Sequence, residues 1–346
     1  MNQKSQRITV RLSGLTLLIG VLMSACNSPP IAPHTEPSVN CRMVQHLEGE
    51  TQVCGQPETI VALGSSTLEL LIALDEQPAG FADYAIWHRD RYDNPSQQIP
   101  YLGQFVTTQP ANLGLASEPS MEAIVALQPD LIVGTGGNAA QYSTLSAIAP
   151  TILLSRNDDD SDASLQTLAQ ALDRPEKAEA LIQTRNQQVA TAREAFAPVI
   201  DAHPNMLLLG AIQWEELYLG DHNYGLCSAL LEDLGFQLMT PPDLKNAVPD
   251  APVPISRETL SQLNDADSVI MFTGNLDELD RQDNFEEHQT NHIKQAWQED
   301  AIAQSLDASQ AGRIYFIPGY LCRGLPGAIG TELYLEELKE QLLAPS

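Results

Sequence analysis

Basic residues are scarce in this chain. Lys and Arg total 18 against 45 Asp and Glu, which gives a formal charge of −27 over 346 residues. A surface so acidic cannot neutralise a phosphate backbone, and nucleic acid is excluded as a partner. The five cysteines contain no Cys-x-x-Cys pair, too few for a disulfide-built scaffold and wrongly spaced for a zinc ribbon. The apolar run at residues 12–23 falls short of the roughly 20 residues that cross a bilayer. No GxSxG nucleophile elbow, P-loop or GxGxxG occurs, and Gly134-Thr135-Gly136-Gly137 has the wrong spacing for any of them. Aromatics are sparse at 5%, yet 43% of the residues are hydrophobic, ample for a packed core. The length predicts two or three units.

The N-terminus sets the compartment. Lys4, Arg7 and Arg11 precede the 12–23 run as the basic region of a signal peptide precedes its core. Met23-Ser24-Ala25-Cys26 then resembles a bacterial lipobox, with Met23 where Leu is common, and makes Cys26 the lipidated new N-terminus. Cleavage near Ala25 without lipid is the alternative. Residues 1–25 are read as signal peptide and the Pro-rich 26–40 as a lipid-anchored tether on the outer face of the cell membrane. Outside the cytoplasm disulfides are permitted. Cys41, Cys54, Cys227 and Cys322 allow three pairings. Proximity favours Cys41 with Cys54, a closure worth about 3 kcal/mol in the chain-entropy model. Cys227 and Cys322 are then left over, with buried free thiols as the alternative for each pair.

Short β-branched runs alternate with helical patterns, the signature of α/β layers. Strands are predicted at 59–63, 78–82, 131–134 and 151–154, then at 206–212, 217–219, 268–272 and 313–317. Between the groups lies a helix over 175–197, opened by Pro175 and ended by Pro198. Ala178, Ile182, Val189, Ala192 and Phe196 form one stripe along it, and its length of about 35 Å reaches from one small domain to another. The layout is a lobe at 41–172, a spanning helix at 173–200 and a second lobe at 201–346.

One segment echoes another. PSMEAIVALQPDLIVGTG (119–136) and PISRETLSQLNDADSVIMFTG (254–274) share Ser-x-Glu, apolar residues two and five beyond the Glu, then Asp and an apolar strand. A duplicated helix–strand unit predicts related lobes. Ser120 and Ser256 are positioned to cap, and Glu122 and Glu258 sit in the first turn. The two glutamates are either helix-start chemistry or a matched pair of exposed docking charges, one on each lobe.

These features together resemble a family. The lipobox, ETIVALGSSTLELLIAL, SMEAIVALQPDLIVG, the single spanning helix and the terminal GRIYFIPG…ELYLEELKEQLL are similar, in that order, to class III periplasmic binding proteins. These are the substrate-binding lipoproteins of ATP-driven importers for ferric siderophores, cobalamin and haem. The early CRMVQHLEGETQVC resembles the iron(III)-dicitrate and siderophore branch. The resemblance implies an α/β fold of two Rossmann-like lobes joined by one long rigid helix, with the ligand in the cleft between them. It implies a monomer without cofactor or catalytic role that carries a ferric siderophore, or alternatively cobalamin or haem, to an ABC permease dimer. Glu122 and Glu258 match the carboxylates that dock on permease arginines, contacts that steer and orient.

Loops at the strand carboxyl ends are expected to line the cleft. The first holds Ser65 and Ser66; the second holds Tyr84, Trp87, His88, Arg89 and Arg91. The second lobe offers Trp214, Tyr224, Tyr320 and Arg323. Arg and aromatic groups suit an anionic chelate with apolar shoulders. The competing assignment puts Trp87 in the core and pairs the arginines with Asp83, Asp90 and Asp93. Asp158-Asp159-Asp160-Ser161-Asp162 fails as a calcium loop, because Ala163 and Ala169 stand where Gly and Glu are needed, and is read as a helix N-terminus. His288 and His292 could share a helix face, but the HExxH pattern of a secreted zinc enzyme is absent, and no metal site is expected.

Overall fold

Two sheets, each clothed on both faces by apolar layers, organise the chain. The computed structural model describes residues 40–155, 161–220, 224–240, 253–276 and 284–343. The signal segment, Cys26 and the Asp158–Asp160 run lie outside the described residues.

A hairpin opens the described chain, β1 (Cys41–His46) and β2 (Gly49–Cys54), with Cys41 opposite Cys54 and disulfide-bonded to it. Sequence reading did not assign these strands, because their residues are largely exposed and carry no continuous apolar run. Arg42 pins the hairpin to the first lobe: its Nε donates to Ala171 O at 2.8 Å and Nη1 to Gly55 O at 2.8 Å.

The first sheet comprises β3 (Ile60–Leu63), β4 (Pro78–Asp83), β5 (Ala111–Leu115), β6 (Glu118–Pro119), β7 (Leu131–Thr135) and β8 (Thr151–Leu154), ordered β6-β5-β4-β3-β7-β8. All pair in parallel except β6. Buried from both sides, β3 and β7 have no exposed residue, the reason central parallel strands read as unbroken apolar runs. Helices α1 (Ser65–Ala73), α2 (Met121–Leu127), α3 (Tyr142–Ile148) and α4 (Ser161–Ala171) follow strands in this lobe. Gly64, at φ 123°, makes the tight turn from β3 into α1 in a conformation that side-chain-bearing residues rarely adopt.

Helix α5 (Pro175–Ala202) spans the lobes. Ala178 and Ile182 pack in the first lobe's core, and Val189, Ala192 and Phe196 in the second's, as the stripe predicts. It runs through Pro198 rather than ending there. Proline removes a single intrahelical bond near the end, and Val199 and Ile200 beyond it still pack on the second core. At 1.5 Å per residue its 28 residues extend about 42 Å.

The second sheet holds β9 (Asn205–Ala211), β10 (Leu217–Gly220), β11 (Gln237–Leu238), β12 (Val253–Ile255), β13 (Ser268–Thr273) and β14 (Ile314–Pro318). Its main path is β12-β10-β9-β13-β14, with β11 also on β9. Helices α6 (Leu226–Leu234), α7 (Phe285–Glu299) and α8 (Ala328–Leu342) complete it. β9 therefore stands between β10 and β13 as β3 stands between β4 and β7, although β10 is antiparallel where β4 is parallel.

The internal repeat has a structural counterpart. Asp130, just before β7, accepts from the amides of Glu58 and Thr59 at 3.0 and 2.9 Å and donates its own amide to Thr59 O. Asp267, just before β13, does the same with Asn205. The helical half of the repeat diverges. Ser120 caps α2, its Oγ accepting from Ala123 N, but the segment after Ser256 is a 3₁₀ turn, Arg257–Gln262, and Ser256 makes no such cap. Thr259 and Asn264 are weaker helix formers than the Ala, Met and Leu of α2, and the expected second helix gives way to the tighter turn.

Candidate functional site

The carboxyl ends of both sheets open onto one cleft of about 660 Å³. Ser65 and Ser66 enter it at the start of α1, Thr135 at the end of β7 with Asn138 beyond it, and Ser155 after β8. The second lobe contributes Ile212 after β9, Tyr218 on β10, Tyr224 before α6 and Thr273 at the end of β13, with Tyr320 and Arg323 following β14. Asn138 fixes two loops at once: its Oδ1 accepts from Thr135 N at 3.1 Å, and its Nδ2 donates to Ala116 O at 2.6 Å.

Arg323 stands on a π-helical turn, Tyr320–Gly324, a rare geometry that recurs at functional sites. Its guanidinium lies 4.9 Å from the ring centre of Tyr224 and forms no ion pair among the described residues. Cys322, its neighbour, is buried and disulfide-bonded to Cys227 of α6, which ties the turn to the second core. Tyr334 Oη donates to Cys227 O at 3.2 Å behind that bond. Gly210 leaves the space Tyr224 needs, since a Cβ there would collide with the tyrosine hydroxyl.

The lobes meet through buried polar contacts beside the cleft. Tyr320 Oη donates to Asp83 Oδ2 at 2.8 Å, and Tyr84 N donates to Asp83 Oδ1 at 2.7 Å. Burial raises the Asp83 carboxyl to about 7, with the two hydrogen bonds pulling the other way. The same burial, and then the charge of Asp83, raises the Tyr320 phenol well above its ordinary value. Ser65 Oγ donates to Gly324 O at 2.9 Å. Glu69 of α1, fully buried, accepts from the amides of Gly327 and Gly330 at 2.8 and 2.6 Å, so a carboxylate of one lobe caps the start of α8.

Of the residues expected to line the cleft, Ser65, Ser66, Tyr84, Tyr224, Tyr320 and Arg323 do so. Trp87, His88, Arg89, Arg91 and Trp214 do not. Trp87 is buried in an aromatic cluster with Tyr84 (5.6 Å), Phe285 (5.1 Å) and Tyr320 (5.9 Å), where an indole buries more area than a cleft rim offers. His88, Arg89 and Arg91 sit on a loop held toward β5, because Asn112 Nδ2 donates to the carbonyls of His88 and Asp90; both arginines are exposed. Trp214 meets Trp297 edge to face at 5.8 Å and donates Nε1 to Asp300 at 3.3 Å, on the far side of β9. Strand-end position flagged these loops, but it cannot show which way a side chain turns. Ser117, Asn138, Tyr218 and Phe272 line the cleft and were missed, although the same strand-end rule would have reached three of them. Ser117 follows β5, a strand whose Ala-Asn-Leu-Gly-Leu has too little apolar character to register.

Glu122 and Glu258 are both exposed at the first turns of their segments. The Glu258 carboxyl lies below its usual range, chiefly through a hydrogen bond from its own backbone amide. Asp162 is at the start of α4 and pairs with Arg185 of the spanning helix. His288 and His292 stand one turn apart on α7, where His292 Nε2 lies 2.9 Å from Ile212 O. Among the described residues no three His, Cys, Asp or Glu gather as a metal site, and no helix is long and apolar enough to cross a membrane.

The model of a family described as "Periplasmic binding protein" matches residues 60–321. A putative ABC transporter substrate-binding lipoprotein of Bacillus subtilis, YhfQ, is 26% identical over 340 residues, covering 95% of this chain and 96% of its own. A probable siderophore-binding lipoprotein of the same organism, YfiY, is 23% identical, covering 94% and 96%. Staphylococcus aureus SirA, solved with staphyloferrin B, superposes with a TM-score of 0.69 at 21% identity, covering 87% of this chain and 98% of SirA.

Proposed function

The chain belongs to the periplasmic binding protein family, and from that premise we propose that it captures a ferric siderophore or citrate-type ferric chelate outside the cytoplasm and delivers it to the permease of an ATP-driven importer. The observation that carries this is the cleft of about 660 Å³ between the sheets, walled by tyrosines and holding the Arg323 guanidinium, which forms no ion pair among the described residues. Preformed and mostly apolar with a few fixed polar groups, it is the kind of site that buries a compact ligand. A single stiff helix across the back, with buried bonds from Tyr320 and Glu69 at the side, supports a cleft that keeps its shape on loading. The relatives named for siderophore binding favour a ferric chelate over cobalamin or haem.

Tyr224, Tyr320 and Arg323 are the residues proposed to hold the chelate, with Ser65 and Ser66 on the opposite wall. Glu122 and Glu258 would meet cationic patches on the two permease subunits. Lipid on Cys26 would keep the monomer beside its permease; Cys26→Ser should release the chain from the membrane fraction, and unchanged retention would refute the anchor. The function itself is tested by titrating the purified chain with ferric chelates while following intrinsic fluorescence. Saturable quenching without turnover of the chelate is expected, and no response to any ferric chelate would overturn the reading.

A further inference from the structure

The charge of the cleft narrows the chelate class. Among the described residues that line it, Arg323 is the single charged side chain; the rest offer hydroxyls, amides, aromatic rings and aliphatic groups. One guanidinium can neutralise one anionic charge and fork onto one carboxylate or hydroxamate oxygen pair. Any further negative charge brought into the cleft loses its hydration with no second cation among the described lining residues to replace it. A buried carboxyl, Asp83, stands behind the hydroxyl of Tyr320 and adds to that cost when ionised.

The surroundings point the same way. The whole chain carries a formal −27, a field that repels anions at long range and weakens as salt screens it.

Ferric chelates differ sharply in charge at fixed size. Three hydroxamates cancel the charge of iron(III) and give a neutral complex. Two hydroxamates with an α-hydroxycarboxylate give a monoanion. Three catecholates, each doubly ionised, leave a trianion.

Resting on the ferric-chelate reading above, we propose that this cleft takes neutral or monoanionic ferric chelates of the hydroxamate and hydroxamate–carboxylate classes and rejects trianionic tris-catecholates. Arg323 meets the one charge a monoanion brings, and the tyrosine walls meet its apolar flanks. Tyr224 then lies against the guanidinium that faces the ligand, an arrangement that keeps the cation in place before binding.

The test uses the purified full chain and a panel of probes: ferrichrome and ferrioxamine E as neutral tris-hydroxamates, ferric schizokinen as a citrate–hydroxamate monoanion, and ferric enterobactin and ferric bacillibactin as tris-catecholates. Calorimetric titration at low salt should find at least one low-charge chelate bound about 100-fold or more tightly than either tris-catecholate, because unmatched like charges cost several kcal/mol. That gap should narrow as salt is raised. Arg323→Gln should weaken the monoanion more than the neutral chelates. A tris-catecholate bound as tightly as the best low-charge chelate would overturn the inference while leaving the ferric-chelate function intact. Silence toward every probe, and toward ferric citrate as well, would overturn that function and the inference with it.

Discussion

Tyr320 Oη donates a 2.8 Å hydrogen bond to Asp83 Oδ2, joining the turn after the last strand of the second sheet to the end of β4 in the first. Both residues are buried, and Tyr320 lines the ligand cleft with Asp83 behind its hydroxyl.

Because burial raises the Asp83 carboxyl from an ordinary 3.8 to about 7, the folded chain holds a proton that the unfolded chain has released. Between about pH 4 and pH 7 the folded state therefore binds more protons, and this group's contribution to stability falls as pH rises. At about 1.4 kcal/mol per unit the total is on the order of 4 kcal/mol. The difference in melting temperature between the parent and Asp83→Asn should change steadily across that window and flatten above pH 8. A constant difference would show that Asp83 does not titrate there.

The Cys227–Cys322 disulfide should matter to stability and to binding alike. It closes a separation of 95 residues, for which the chain-entropy model gives close to 5 kcal/mol. It also fixes the turn that carries Arg323. The Cys227→Ala/Cys322→Ala double variant is expected to melt well below the parent and to bind ferric chelate more weakly even where folded. Unchanged affinity in calorimetry would show that the Ser65–Gly324 and Tyr320–Asp83 bonds hold the turn unaided.

Gly210→Ala should act through Tyr224. The new methyl takes the place of the phenol hydroxyl, and the ring, packed on Phe272 at 5.6 Å, must tip toward the cleft at a cost of about 1–3 kcal/mol for overpacking. Chelate affinity and melting temperature are both expected to fall. Adding Tyr224→Phe removes the colliding oxygen and should restore the melting temperature; failure to do so would place the strain elsewhere.

Glu122 and Glu258 are exposed at equivalent first turns of the two lobes. The double Glu→Gln variant should bind chelate and melt as the parent does, yet fail to stimulate ATP hydrolysis by the reconstituted importer. Raised salt should weaken the parent's stimulation in the same direction, since exposed charges are screened within about 10 Å. Full stimulation by the double variant would leave both glutamates as helix-start residues.

Sequence alone determined the layers, the spanning helix and the internal repeat. Those features rest on local rules: parallel strands buried on both faces must be continuously apolar, as in β3, and a helix touching two cores must carry one long stripe, as in α5. Pro175 marked the helix start because its missing amide costs nothing there, whereas Pro198 misled because one lost bond near a helix end is outweighed by the packing of Ile200. Asp130 and Asp267 were visible as matched positions, but their shared bonds to the first strand of each sheet were not.

The cleft's composition was decided in three dimensions. Arg323 and Arg89 look alike as loop arginines after strands, yet a disulfide and a π-helical turn aim one into the cleft, while Asn112 holds the other's loop toward β5. Trp87 and Trp214 each found more apolar area against aromatic neighbours from distant segments, Phe285 and Trp297, than the cleft could give them. Spacing along the chain fixes which residues reach a loop. The direction a side chain takes from that loop depends on partners far away in sequence, and those partners meet only once both lobes have packed.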